Sequence, residues 1–177
     1  ERLTVRNVVI DAAGAETAIE LKGYLAGSRM ENVLIRNFRR IGVNASGVAG
    51  LGGAKVHLVN VTVRATDDRT PTSAVKLLSG IPETGDIEIV RCRFQGPFAT
   101  GIEIVGPTKN VAVRRTVFDR LTNGISCPGI AADFDRVQVI GNTFHDVEAA
   151  LHFAVQPAGR SSKLAVAQNL FTEVENE

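Results

Sequence analysis

The feature that most constrains this chain is a recurrence of apolar residues at a start position and at two, five and seven residues beyond it, repeated along its whole length. The starts are Leu3, Val33, Val56, Ile87, Val111, Val137 and Leu164. Successive intervals are 30, 23, 31, 24, 26 and 27 residues, and self-similarity at such a period is the mark of a solenoid. The last four sets are the most regular: Ile87, Ile89, Cys92, Phe94; Val111, Val113, Thr116, Phe118; Val137, Val139, Asn142, Phe144; and Leu164, Val166, Asn169, Phe171. Of 28 such positions 24 are apolar, counting Cys, where a 44% hydrophobic composition alone gives about 12. Chance does not account for the pattern. Its weakest member is the second set, where Val33, Ile35 and Phe38 are followed by Arg40.

Apolar residues at the start and two places on describe a strand with one buried face. The step to five and seven requires a bend, after which a second strand again points its side chains inward. A further apolar pair follows, as Ile19/Leu21, Val75/Leu77, Ile102/Ile104, Ile125/Cys127 and Leu151/Phe153. Each pair is preceded by Ala18, Ala74, Gly101, Gly124 or Ala150, small residues suited to a tight turn. Such a coil cannot bury its inner face alone. Stacking coils about 4.8 Å apart aligns like strands into parallel sheets around a continuous apolar column. The expected fold is therefore all-β, a right-handed parallel β-helix solenoid of about seven coils of three short strands, forming a single domain over residues 1–177. A sandwich or antiparallel barrel supplies no reason for a 27-residue register, and the Leu-x-x-Leu-x-Leu frame of leucine-rich repeats is missing.

Asn142-Thr143-Phe144 and Asn123-Gly124-Ile125 carry a further likeness. In these repeats the sequence resembles the pectin-lyase-like right-handed β-helix superfamily, over essentially the whole chain. The resemblance implies the fold and an extracellular or cell-envelope setting. It transfers no catalytic set: Gly-His-Gly and Arg-x-Lys of the hydrolases and Asp-Pro-His-Asp of the epimerases are all missing from this sequence. The repeat runs from Leu3 to Phe171, so the chain is expected to be a segment of a longer protein whose end coils are capped by flanking chain or a partner.

Charge bounds the partners. Lys plus Arg (20) nearly balances Asp plus Glu (19), which gives no net field toward nucleic acid. No apolar run approaches the roughly 18 residues of a membrane span. Neither nucleic acid nor membrane is expected as a partner. Cys92 and Cys127 occupy inward positions and read as buried fillers. Asn142 and Asn169, with Thr116, share one register and are expected to hydrogen-bond along the stack.

In a solenoid, chemistry is sought down columns of residues at equal offsets. Asp119 and His145 each follow the Phe of their coil and are the candidate catalytic pair, a carboxylate and an imidazole able to move a proton. Arg120, Asp146 and Glu173 form the next column. Arg91, Arg93, Arg114 and Arg115, with Arg36, are expected on the outward face of the first sheet beside His57 and Glu88, and are the candidate substrate-binding residues. Guanidinium groups bind carboxylates bidentately, although stacked opposite charges also form simple ion-pair ladders. No residue set is assigned to a metal, and no cofactor is expected. Calcium would be sought at Asp67-Asp68 or Asp133-Phe134-Asp135. Two insertions, Arg64 to Ser73 and Ser79 to Gly85, lengthen coil three and mark a functional face or neutral surface growth.

The function expected first is a non-catalytic β-helix scaffold or binding domain for extended polymers, carbohydrate above others. The alternatives are a polysaccharide lyase, glycoside hydrolase or epimerase acting on uronate-containing glycans, and a protein-interaction or assembly module.

Overall fold

The computed structural model describes residues 2–66, 70–128, 134–154 and 163–176. Coil one consists of β1 (Thr4–Asp11) and β2 (Thr17–Tyr24), coil two of β3 (Arg29–Arg36) and β4 (Ile41–Ala49), and coil three of β5 (Val56–Arg64) and β6 (Ser73–Leu78). Coil four holds β7 (Thr84–Val90) and β8 (Arg93–Val105), and coil five β9 (Thr108–Arg114) and β10 (Val117–Cys127). Coil six holds β11 (Phe134–Ile140) and β12 (Thr143–Phe153), followed by β13 (Leu164–Ala167) and β14 (Leu170–Asn176). Every pairing between these strands is parallel. The protein is an all-β parallel solenoid of about six turns, a slightly lower count than the seven expected because seven stacked rungs enclose only six full turns.

Register corrects the second set. β1 pairs Val8 with Val33 and Ile10 with Ile35, and β5 continues these as Val61 and Val63. Val33 is thus a fifth-place residue, and coil two starts at Ser28, two before Met30. The intervals become 25, 28, 31, 24, 26 and 27. Arg40 was off pattern because it does not belong to that pattern. Ser28 is buried, and its hydroxyl accepts the Leu3 N–H at 2.8 Å, so a polar residue fills an inward place without an orphaned group. Phe38 turns inward beyond the second strand and stacks on Phe98 at 6.0 Å.

Three bends per coil make the cross-section three-sided; the first carries a left-handed residue in every coil and the other two do so in several. Four places after each start stand Asn7, Asn32, Asn60, Arg91, Arg115, Gly141 and Gln168, all with φ between 52° and 66°. Nine places after it stand Asn37, Gly96, Arg120, Asp146 and Glu173, also at positive φ. One place before it, Gly27, Asp86, Asn110 and Arg136 do the same. A single such residue redirects a strand, at about 1 kcal/mol for a non-glycine side chain. Asn tolerates it best, and the first bend carries an amide ladder in which Asn60 donates to Asn32 at 2.8 Å and Asn32 to Asn7 at 2.9 Å.

The interior fills as the apolar columns require. Phe94, Phe118, Phe144 and Phe171 form one stack with centroids 4.6 to 5.4 Å apart. The third-strand pairs also register across coils, with Val43 and Ala45 of coil two completing the series. The small residues before them serve packing, since Gly42, Gly101 and Gly124 do not adopt positive φ. A Cβ on Gly124 would lie 2.5 Å from the Ala150 carbonyl oxygen and 2.6 Å from the Phe144 ring. The glycine column is therefore the clearance for the phenyl stack of the next coil. Cys92 and Cys127 are buried, and loss of hydration pushes their thiols up to about 12 and about 11.

The inner polar ladder matches expectation. Thr116 N–H donates to Asn142 Oδ1 at 2.9 Å, Asn142 N–H to Asn169 Oδ1 at 2.9 Å, and Asn142 Nδ2 to the Val113 carbonyl at 3.1 Å. The amides replace water for backbone groups inside the stack.

Candidate functional site

The bends redistribute the arginines. Of the expected first-sheet strip, Arg114 alone lies on that sheet's outer face. Arg91 and Arg115 sit at the left-handed corner between first and second strands, and Arg93 and Arg36 project from the second. The correction has a physical reason: the left-handed residue at each fourth place turns the second strand onto a new face.

Partners separate these arginines further. Arg114 donates to Glu88 at 3.2 Å and Gln138 at 2.7 Å, and Glu88 also receives His57 at 3.2 Å and Lys55 at 3.8 Å. Arg36 pairs with Asp11, Arg29 and Arg6 with Glu31, and Arg64 with Gln95. Hydrogen bonds from Arg29 hold the Glu31 carboxyl below its ordinary range, with smaller help from the fields of Arg29, Arg6 and Arg91. Asn37, then the Ala13 N–H, do the same for Asp11. These are ladders that stabilise exposed sheet modestly. Arg91, Arg93 and Arg115 differ. All three are exposed, and among the described residues none makes an ion pair or side-chain hydrogen bond. Arg91 and Arg115 occupy the same column on adjacent coils, with Arg93 two residues beyond Arg91.

Asp119 and His145 are register partners of β10 and β12, one coil apart. Each is engaged along its column: Gln95 Nε2 donates to Asp119 at 3.1 Å, while His145 Nδ1 lies 3.3 Å from Thr172 Oγ1 and 3.8 Å from Glu173. They stand on an open strand face. The nearby concavity is lined instead by the residues just beyond them in the chain.

That concavity is a groove of about 300 Å³ along the corner between second and third strands. Pro97, Phe98 and Leu121 form its floor. Arg120 and Thr122 of coil five, Asp146 and Glu148 of coil six, and Thr70 from the coil-three insertion form its sides. The column Arg120, Asp146, Glu173 anticipated from offsets is this bend. Sequence reasoning missed the groove because Glu148 and Thr122 lie two places past a bend whose position was unknown. Recurrent left-handed corners, foreshadowed by Asn7, Asn32 and Asn60, would have located it.

His152 is an outward strand residue as expected, 3.4 Å from Ser126 Oγ. Asp67, Asp68 and Asp133 lie outside the described residues, and Asp135 pairs with Arg136 at 3.6 Å. Among the described residues no group of three or more His, Cys, Asp or Glu side chains is arranged to hold a metal ion.

Fold and surface together define the class: a parallel β-solenoid whose outer columns carry ladders, a groove, and a corner of arginines without ion-pair partners among the described residues. Comparison with known protein families, with curated proteins and with solved structures finds no match for this chain.

Proposed function

We propose that this chain is a non-catalytic binding module of the pectin-lyase-like β-helix kind, which holds an extended acidic carbohydrate along the corner marked by Arg91, Arg93 and Arg115. The single observation that carries this reading is the contrast among the arginines. Arg6, Arg29, Arg36, Arg64 and Arg114 have acidic or amide partners, whereas among the described residues the side chains of these three make no ion pair or hydrogen bond. A guanidinium offers a planar fork matched to a carboxylate. Arginines repeating at the coil spacing present such forks at regular intervals to a polymer lying along the axis. The amide ladder Asn7, Asn32, Asn60 continues the same corner with groups suited to sugar hydroxyls.

Screening against an array of acidic and neutral glycans tests the reading. Binding concentrated among uronate-containing glycans, weakened by salt as exposed charge interactions are, is the expected result. Silence across acidic and neutral glycans alike removes it.

A second reading, an enzyme acting on uronate glycans, draws on the cross-coil neighbours Asp119 and His145. It requires shortened or unsaturated products from uronate polymers that disappear with Asp119→Ala or His145→Ala. Absence of such products with and without calcium counts against it.

A further inference from the structure

Two places in the sequence read Asn-x-Ser/Thr with a residue other than Pro between, Asn44-Ala45-Ser46 and Asn60-Val61-Thr62. This is the acceptor pattern for N-linked glycans in chains that enter a secretory lumen. The fold sets the two apart. Asn60 is exposed at the left-handed first bend of coil three, with φ at 52°. Val61 then points into the core, and Thr62 returns to the surface, half-buried. Asn44 lies instead in the middle of β4, between its register partners Glu20 and Lys76, half-buried and with its Oδ1 withdrawn from solvent. Hydrogen bonding makes the same distinction. Asn60 donates one N–H of its amide to Asn32 Oδ1 at 2.8 Å. A primary amide has a second N–H, and a glycosidic bond replaces only one of them. A glycan on Asn60 is thus compatible with the amide ladder. The other two ladder members lack the hydroxyl two residues on, where Val9 and Leu34 stand.

We infer that Asn60 is an N-glycosylation site. The donor is an oligosaccharide carried on a polyprenyl diphosphate, whose anomeric carbon is attacked by Asn60 Nδ2. The new bond from nitrogen to carbon forms as the bond from that carbon to the diphosphate oxygen breaks. The lipid diphosphate leaves with the bonding electron pair, the amide nitrogen gives one proton to a base of the transferase, and nothing is oxidised or reduced. The attached glycan projects outward from the corner, with Asn32 before it in the column and Arg91 after it. At Asn44 the same group would have to enter the outer layer of the third sheet, where the amide oxygen already lies beneath the surface. Folded protein therefore carries no glycan there.

Secretion of the full chain from a eukaryotic cell behind a cleavable leader, followed by peptide mass spectrometry before and after treatment with an N-glycosidase, tests the inference. The enzyme converts a glycan-bearing Asn to Asp and so marks the site. Soluble protein recovered from cells and medium alike is expected to carry a glycan on Asn60 in most chains and none on Asn44. Thr62→Ala, which keeps Asn60 and its ladder bond, should abolish the modification, and Thr62→Ser should retain it. Transfer takes place on the entering chain, before the coils have stacked, so this readout does not depend on how stable each variant is. Unmodified Asn60 in the parent, a glycan on Asn44 in the soluble protein, or a glycan on Asn60 that survives Thr62→Ala would each overturn the inference. None of these changes touches Arg91, Arg93 or Arg115, so the outcome is separate from the acidic-carbohydrate reading.

Discussion

Glycine plays two opposite parts in this chain. At position 124 it provides room: an added Cβ would meet the Ala150 carbonyl and the Phe144 ring at 2.5 and 2.6 Å, and neither can retreat from a filled stack. Gly124→Ala is expected to destabilise the fold by about 2 kcal/mol or more, measured by urea unfolding. At position 141 glycine provides conformation, with φ at 66° and the nearest atom for a new Cβ, Arg115 Cγ, 4.0 Å away. Asn already fills this bend in coils one to three, so Gly141→Asn should leave stability within about 0.5 kcal/mol of the parent. The small column was legible in the sequence because it recurs before the third-strand pair, but its cause was not. A turn and a close approach select the same residue, and only the facing Phe distinguishes them.

The buried thiols give a residue-scale dependence on pH. Their pKa is raised in the folded state, so above the ordinary thiol pKa of 9.0 the unfolded chain releases protons that the folded chain retains. Stability from this source is intact below pH 9 and falls as pH rises toward 11 to 12, by about 1.4 kcal/mol per unit for each thiol. Unfolding midpoints at pH 8 and pH 10 should therefore fall more steeply in the parent than in Cys92→Ala/Cys127→Ala. Parallel falls in the two proteins would contradict this account of the thiols.

At the scale of the strand, the repeat was legible wherever both of its apolar pairs could be seen. It failed at coil two for a specific reason. Two apolar pairs with the same internal spacing are interchangeable to the eye, so Val33 and Ile35 pass equally for a first pair or a second. The true first pair begins with a buried Ser28, hidden by its polarity. The inner amide ladder was readable because Asn142 and Asn169 share one offset, and its strength can be checked. Asn142→Leu strands the Thr116 N–H and the Val113 carbonyl inside the stack. A loss of about 3 kcal/mol in unfolding free energy is expected, whereas a loss below about 0.5 kcal/mol would mean that the ladder contributes little.

For the whole molecule, stacking turns a sequence offset into a spatial address. That rule places Asp119 beside His145 and Arg120 beside Asp146 from the sequence alone. It could not say which side of the solenoid each column faces, because the left-handed bends that set the faces fall on residues as unlike as Asn, Arg and Glu. The expected arginine strip consequently divides into a paired ladder at Arg114 and a corner at Arg91, Arg93 and Arg115 that has no ion-pair partner among the described residues. Isothermal titration of the parent and of Arg91→Ala/Arg115→Ala with an oligogalacturonate at low and moderate salt tests the binding account most directly. The account predicts salt-sensitive binding by the parent and at least a tenfold loss in the variant. No binding by the parent, or equal affinity in the two proteins, would contradict it.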